Sequence, residues 1–197
     1  MKIVASLAGT AILATMAGPA LAHPPPLGIP GFFGGVLHPL FVPAHLMAIL
    51  ALGLLIGQQA GRWSRVVPAE FVAALIAGLV ALTFGIAPRG ADVVILALAA
   101  VCGLLAALAR SLPQLVGYVL AALTGFAVAL DSPPDVISVR EANLMLIGTG
   151  LGGTVLLIVV TEAAARLTRH WQHIAVRVLG SWIAASAVLV LALRLAG

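Results

Sequence analysis

Two histidines and two prolines fall within eight residues of one another, in the stretch Gly34-Gly35-Val36-Leu37-His38-Pro39-Leu40-Phe41-Val42-Pro43-Ala44-His45. Neutral imidazole is a ligand for zinc, copper and nickel. On an unbroken helix His38 and His45 share one face, two turns apart, with a rise of roughly 10.5 Å between them. Two nitrogens bound to one metal at about 2.0–2.1 Å each are no more than about 4 Å apart. A straight helix therefore forbids joint chelation. Pro39 and Pro43 both lack the N–H of a helix bond, so a broken or re-entrant segment here would let the imidazoles meet. The plainer alternative is two histidines at a helix end, bonded to backbone or water. A second polar cluster is Asp131-Ser132-Pro133-Pro134-Asp135, followed by Arg140-Glu141. Clustered carboxylates attract divalent cations. The same residues also read as a Pro-rich turn with an N-cap for the next helix. The candidate metal ligands are thus His38, His45, Asp131 and Asp135, a nitrogen–oxygen set that suits nickel, cobalt or zinc better than copper(I).

The remaining polar residues suggest less. Glu70 and Glu162 have Arg65 and Arg166 close in sequence to offset them. His170 and His173 flank Trp171 in a basic loop that reads as an interfacial anchor. Cys102 lies in an apolar run and has no partner cysteine, so intrachain disulfides and cysteine metal clusters are excluded; it reads as a small buried hydrophobe. No nucleophile–base constellation, phosphate-binding loop or redox motif is visible. The sequence therefore predicts no enzymatic activity and no resident cofactor.

The elements that must position these residues are set by composition. The chain has 197 residues, 62% hydrophobic and 8% charged. A soluble domain carries about 25% charged residues. Here the hydrocarbon core of a bilayer supplies the missing solvent, which predicts an all-α, polytopic transmembrane bundle in contact with lipid. The ten Lys and Arg residues are scattered singly, which argues against a nucleic-acid partner. Residues 1–22 read as a signal peptide, with Lys2, an apolar run from Ile3 to Met16, helix-breaking Gly18-Pro19 and an Ala20-Leu21-Ala22 cleavage site. Residues 23–197 then form one domain beginning at His23. Six apolar segments follow, near Gly31–Gly57, Val66–Ala87, Ala91–Ala109, Pro113–Leu130, Ala142–Ala164 and Val178–Leu193. Each is near the length of about 20 residues that spans a bilayer. Alternating polarity is absent, which disfavours a β-barrel.

Charge orients these spans. Cleavage places His23 in the periplasm, and the loops then alternate. The loops assigned to the cytoplasm hold Arg62, Arg65, Arg110, Arg166, Arg169 and Arg177; the periplasmic side holds Arg89, Arg140 and Arg194 with Asp92, Asp131, Asp135 and Glu141. The positive-inside rule agrees with that assignment and predicts an inner-membrane protein with a periplasmic mature N-terminus. Gly53…Gly57 and Gly148…Gly152 fit the small-xxx-small pattern, which allows helices to approach closely within the monomer and leaves a homo-oligomer open.

Over residues 31–58 the chain resembles the HupE/UreJ family of bacterial membrane proteins. The resemblance rests on His38-Pro39-Leu40-Phe41-Val42-Pro43-Ala44-His45-Leu46-Met47-Ala48, which is similar to the family motif His-Pro-x-x-x-x-Asp-His with Leu-x-Ala-Met-like residues after it. Ala44 stands at the aspartate position. The family's later His-Gly-x-x-His-Gly stretch is also missing, since no histidine lies between His45 and His170. The resemblance implies a cleaved signal peptide, about six spans and a role in nickel or cobalt uptake. It makes the chain a candidate secondary permease for a divalent transition metal, and no ATP-binding motif is present to drive uptake. The alternative is a non-transporting accessory or metal-handling membrane protein.

Overall fold

The computed structural model describes residues 29, 31–63, 66–86, 88–134 and 138–196. The signal-peptide segment, His23, Arg65 and Asp135 lie outside the described residues. The described residues form seven helices: α1 (Gly31–Phe41), α2 (Pro43–Gln58), α3 (Val66–Thr83), α4 (Ala91–Leu108), α5 (Gln114–Leu130), α6 (Val139–Ala165) and α7 (His170–Ala196). Among the described residues there is no strand, only a single bridge between Ala60 and Trp63.

The first apolar segment is two helices. Val42 sits between them in an extended conformation (φ −90°, ψ 107°). A residue before proline is pushed out of the helical region by the proline ring, and Pro43 has no N–H to donate to the carbonyl four residues back. The two pieces are bent by 69°. Pro39, by contrast, lies inside α1. Backbone bonds bridge the corner, from Val42 N to His38 O and from Leu46 N to Val42 O, each 3.0 Å.

Four helices, α3, α4, α6 and α7, are long and apolar enough to cross a membrane, and the bent α1–α2 pair makes a fifth where its two halves count as one span. Helix α5 has 17 residues, a rise of roughly 26 Å against a hydrocarbon core of about 30 Å. Length and composition thus account for four spans, or five with the bent pair, against the six that the sequence suggested. The last helix also differs from expectation. It begins at His170, eight residues before the expected start of the span, so His170, His173 and Arg177 are helical rather than in a loop. Its first turn is closed by Gln172, whose Oε1 accepts from Arg169 N at 2.9 Å and Thr168 N at 3.2 Å. A side chain reaching back to orphan N–H groups favours an earlier helix start than hydropathy indicates.

Helix α2 is the axis of the bundle. It contacts α1, α4, α5, α6 and α7, and its Ala48, Ile49, Ala51, Leu52 and Leu55 are fully buried. The other strong pairings are α3 with α5, α4 with α7, and α1 with α6. The small residues make them possible. A Cβ on Gly148 or Gly152 would fall on the carbonyl oxygens of Phe32 and Val36 in α1, and one on Gly57 would fall on Ala164 of α6. Both small-xxx-small motifs are therefore used inside the monomer, each joining α6 to one half of the broken segment. Cys102 is buried in the apolar core. Outward faces are apolar as well: in α7 only Val176, Gly180 and Ala187 are buried, while Trp182, Leu189 and Leu193 are exposed. Continuous exposed apolar surface of this kind suits hydrocarbon rather than water.

Candidate metal site at the helix break

The corner at Val42 brings the two histidines together. The rings of His38 and His45 lie with centroids 5.2 Å apart and planes at 64°. A straight helix would hold them roughly 10.5 Å apart along its axis. Both are buried, His38 at 3% exposure and His45 at 0%. His38 is carried by α1, which is held by backbone approach: Gly35 packs so closely on α6 that a Cβ there would meet the Met145 carbonyl oxygen. His45 lies in the first turn of α2, inside the bundle.

The third member comes from the end of α5. Asp131 is the C-cap residue of that helix, and its backbone N–H donates to Ala127 O at 3.1 Å. Its Oδ2 lies 3.0 Å from His45 Nε2, where an Nε2–H donates to the carboxylate. The carboxylate side chain is 13% exposed. Neighbouring Ser132 is buried and donates to Val128 O at 2.7 Å. The next helix is not capped by this turn: its N-cap is Ser138, with no side-chain cap bond. Asp131 therefore reaches across 86 residues of sequence to a histidine instead of capping α6.

The structure thus brings His38, His45 and Asp131 to one place, and Asp135 lies outside the described residues. Among the described residues no group of three His, Cys, Asp or Glu side chains is arranged to hold a metal ion. What the geometry does provide is a desolvated imidazole pair with a carboxylate on one member. A carboxylate on one ring nitrogen fixes the tautomer, so the lone pair sits on the other nitrogen, the arrangement common to metal-binding histidines. Sequence reasoning did not single out two further polar residues that the bundle buries. Thr124 is fully buried on α5, two turns before Asp131, and Thr149 is buried on α6, donating to Met145 O at 3.0 Å. The spacing of Thr124 and Asp131, seven residues on one helix, was the available signal.

Charge divides the bundle. At the end opposite Asp131, Gln59 donates to Arg110 O at 2.7 Å, Trp63 Nε1 to Leu112 O at 3.1 Å and Arg177 Nε to Ala107 O at 2.9 Å. Arg62, Arg110 and Arg177 therefore share an end, with the exposed Arg166–Glu162 pair at 3.2 Å on the α6 turn that leads into α7. The Asp131 end carries Asp92, whose carboxylate faces Arg194 at 3.7 Å. No curated protein and no solved structure matches the chain. The HupE / UreJ protein family model matches residues 11–190, nearly the whole length and including both histidines and the aspartate. On that match the chain belongs to the HupE/UreJ family of membrane proteins.

Proposed function

We propose that the chain is an inner-membrane secondary permease for a divalent transition metal, nickel or cobalt, with His38, His45 and Asp131 as its cargo-binding residues. The observation that carries this reading is the meeting of two buried imidazoles at a proline-induced break, with a carboxylate on one of them. Ionisable and metal-ligating groups at membrane depth are costly to bury and mark substrate paths. Unwound backbone at that depth is tolerated where it lines a cavity or is buried in protein. Nitrogen and oxygen donors suit nickel and cobalt. A permease also needs binding loose enough to release its cargo. In this reading the chain has a cleaved signal peptide, six spans with α5 as the shortest, and its acidic end in the periplasm. Asp135 belongs to the same acidic end by sequence. No catalysis and no resident cofactor are part of the reading.

A second reading, a metal-handling accessory protein without transport, is favoured by one observation: the three side chains do not form a closed metal centre. Ala44 at the family's aspartate position points the same way. The two are separated by measuring nickel and cobalt accumulation in cells expressing the chain, with His38→Ala and His45→Ala as single variants. The permease reading expects accumulation above the empty-vector level that either variant abolishes, with normal insertion. Accumulation at the vector level, with metal still bound by the purified chain, favours the accessory reading. Variants that insert and handle metal like the parent remove the histidines from both readings.

A further inference from the structure

We infer that the cleft at the basic end of the bundle binds the headgroup of an anionic, hydroxyl-bearing phospholipid, chemically a phosphatidylglycerol. The cleft has a volume of about 280 Å³ and is lined by Gln58, Gln59, Arg62, Ala109, His173 and Arg177. Three elements meet there: the end of α2 with its following turn, the end of α4 and the first turns of α7. The lining supplies two guanidinium groups and an imidazole and no carboxylate. Among the described residues neither Arg62 nor Arg177 is in an ion pair. Arg177 is held against the wall by the bond from its Nε to Ala107 O, and its Nη groups carry further donors. Two arginines converging without a counter-ion form a phosphate-binding arrangement.

A second observation concerns the ligand's neutral part. Gln58 donates its Nε2–H to Ala106 O at 3.1 Å, while its Oε1 is buried and accepts no hydrogen bond among the described residues. That oxygen is enclosed as the side chain stands, so it meets a ligand donor only when the Gln58 amide turns toward the cleft it lines. A phosphodiester has none, but the glycerol hydroxyls of a phosphatidylglycerol headgroup do. Gln59, by contrast, is spent on the wall, donating to Arg110 O and accepting from Leu112 N. A lipid is favoured over a free anion by what adjoins the cleft. Leu104 and Leu108 on α4 and Ile174 and Val178 on α7 are exposed apolar side chains close in sequence to the lining residues, and exposed Trp171, two residues before His173, serves as an interfacial anchor at the same helix start. Basic pockets between helices at the inner-leaflet side suit anionic headgroups. The cleft lies at the far end of α2 from His45, roughly 20 Å along the helix, so the inference stands apart from any metal chemistry.

The test is thermal unfolding of the delipidated full chain in neutral detergent, titrated separately with short-chain phosphatidylglycerol, short-chain phosphatidylethanolamine and inorganic phosphate. The expected result is a saturable rise in Tm with phosphatidylglycerol alone. Arg62→Gln, an exposed turn residue without an ion pair, should weaken that affinity about tenfold or more, the scale of one charged hydrogen bond. Arg194→Gln, at the opposite end, should leave it unchanged. Arg177→Gln also loses the bond to Ala107 and is therefore not the deciding variant. Equal shifts with both lipids, a shift produced by inorganic phosphate, or parental affinity in Arg62→Gln would each overturn the assignment.

Discussion

His45 and Asp131 form the tightest polar contact at the acidic end, and the pair sets two expectations. Removing the carboxylate leaves a fully buried imidazole N–H without its acceptor, a cost of about 1–3 kcal/mol. Asp131→Ala should therefore lower the Tm of the purified protein by several degrees, while Asp131→Asn, which keeps an acceptor oxygen, should lower it less. Metal affinity should respond differently. Loss of a carboxylate that orients a ligating histidine costs about 10–100-fold in metal affinity, and asparagine does not replace its charge. Isothermal titration of Asp131→Asn with nickel showing parental affinity would separate Asp131 from the site. The type and rough location of these residues were legible in the sequence. Their pairing was not, because Asp131 lies 86 residues from His45 and a Pro-rich turn offered it a local role as a cap. Nothing in residue spacing weighs a local hydrogen bond against one made possible only by the packing of α5 on α2.

At the scale of elements, the first segment holds the most information. The rule that a pre-proline residue avoids the helical region marks two positions, His38 and Val42, and only Val42 leaves the helix while Pro39 stays inside α1; periodicity marks neither, since the residues on both sides are largely apolar. Pro43→Ala restores a backbone N–H donor and removes the restraint on Val42. The expected outcome is a straighter segment in which His38 swings away from His45, with reduced metal uptake and normal membrane insertion. Uptake equal to the parent would show that packing on α6 holds the bend without the proline. Glycine placement makes a sharper prediction. A methyl group at Gly148 meets the Phe32 carbonyl oxygen, whereas at Gly150 the nearest atom is the flexible tip of Leu79, at 3.1 Å. Gly148→Ala should cost about 1–3 kcal/mol as overpacking, and Gly150→Ala should be near neutral; the Tm of each variant in detergent checks both. The sequence announced the glycine pattern but not its partner, because small-xxx-small says that backbones approach and is silent about which ones.

For the molecule as a whole, composition was sufficient for an all-helical membrane protein. A chain with 8% charged residues cannot solvate its own surface. Span count was less secure, since hydropathy reads segments while the bilayer reads lengths: α5 is short and α7 is long. The separation of arginines from carboxylates gives the remaining test. A reporter fused after Arg169 should behave as cytoplasmic and one fused after Asp131 as periplasmic; the reverse would overturn the alternation on which six spans depend. N-terminal sequencing of the mature protein should return His23, and Met1 would show that the first apolar run is retained.

The two imidazoles are mounted unequally. His45 stands on a helix gripped by five neighbours and is pinned by Asp131, whereas His38 rides on α1, a single arm of eleven residues laid mainly along α6. One pair of backbone angles, at Val42, joins arm to anchor. Any change of those angles would move His38 relative to His45, and would have to part α1 from the α6 glycines against which its backbone rests. The break is thus a ruler as well as a bend: the spacing of the two rings is set by a residue with no polar side chain and by a row of glycines, none of which offers a metal a side-chain ligand.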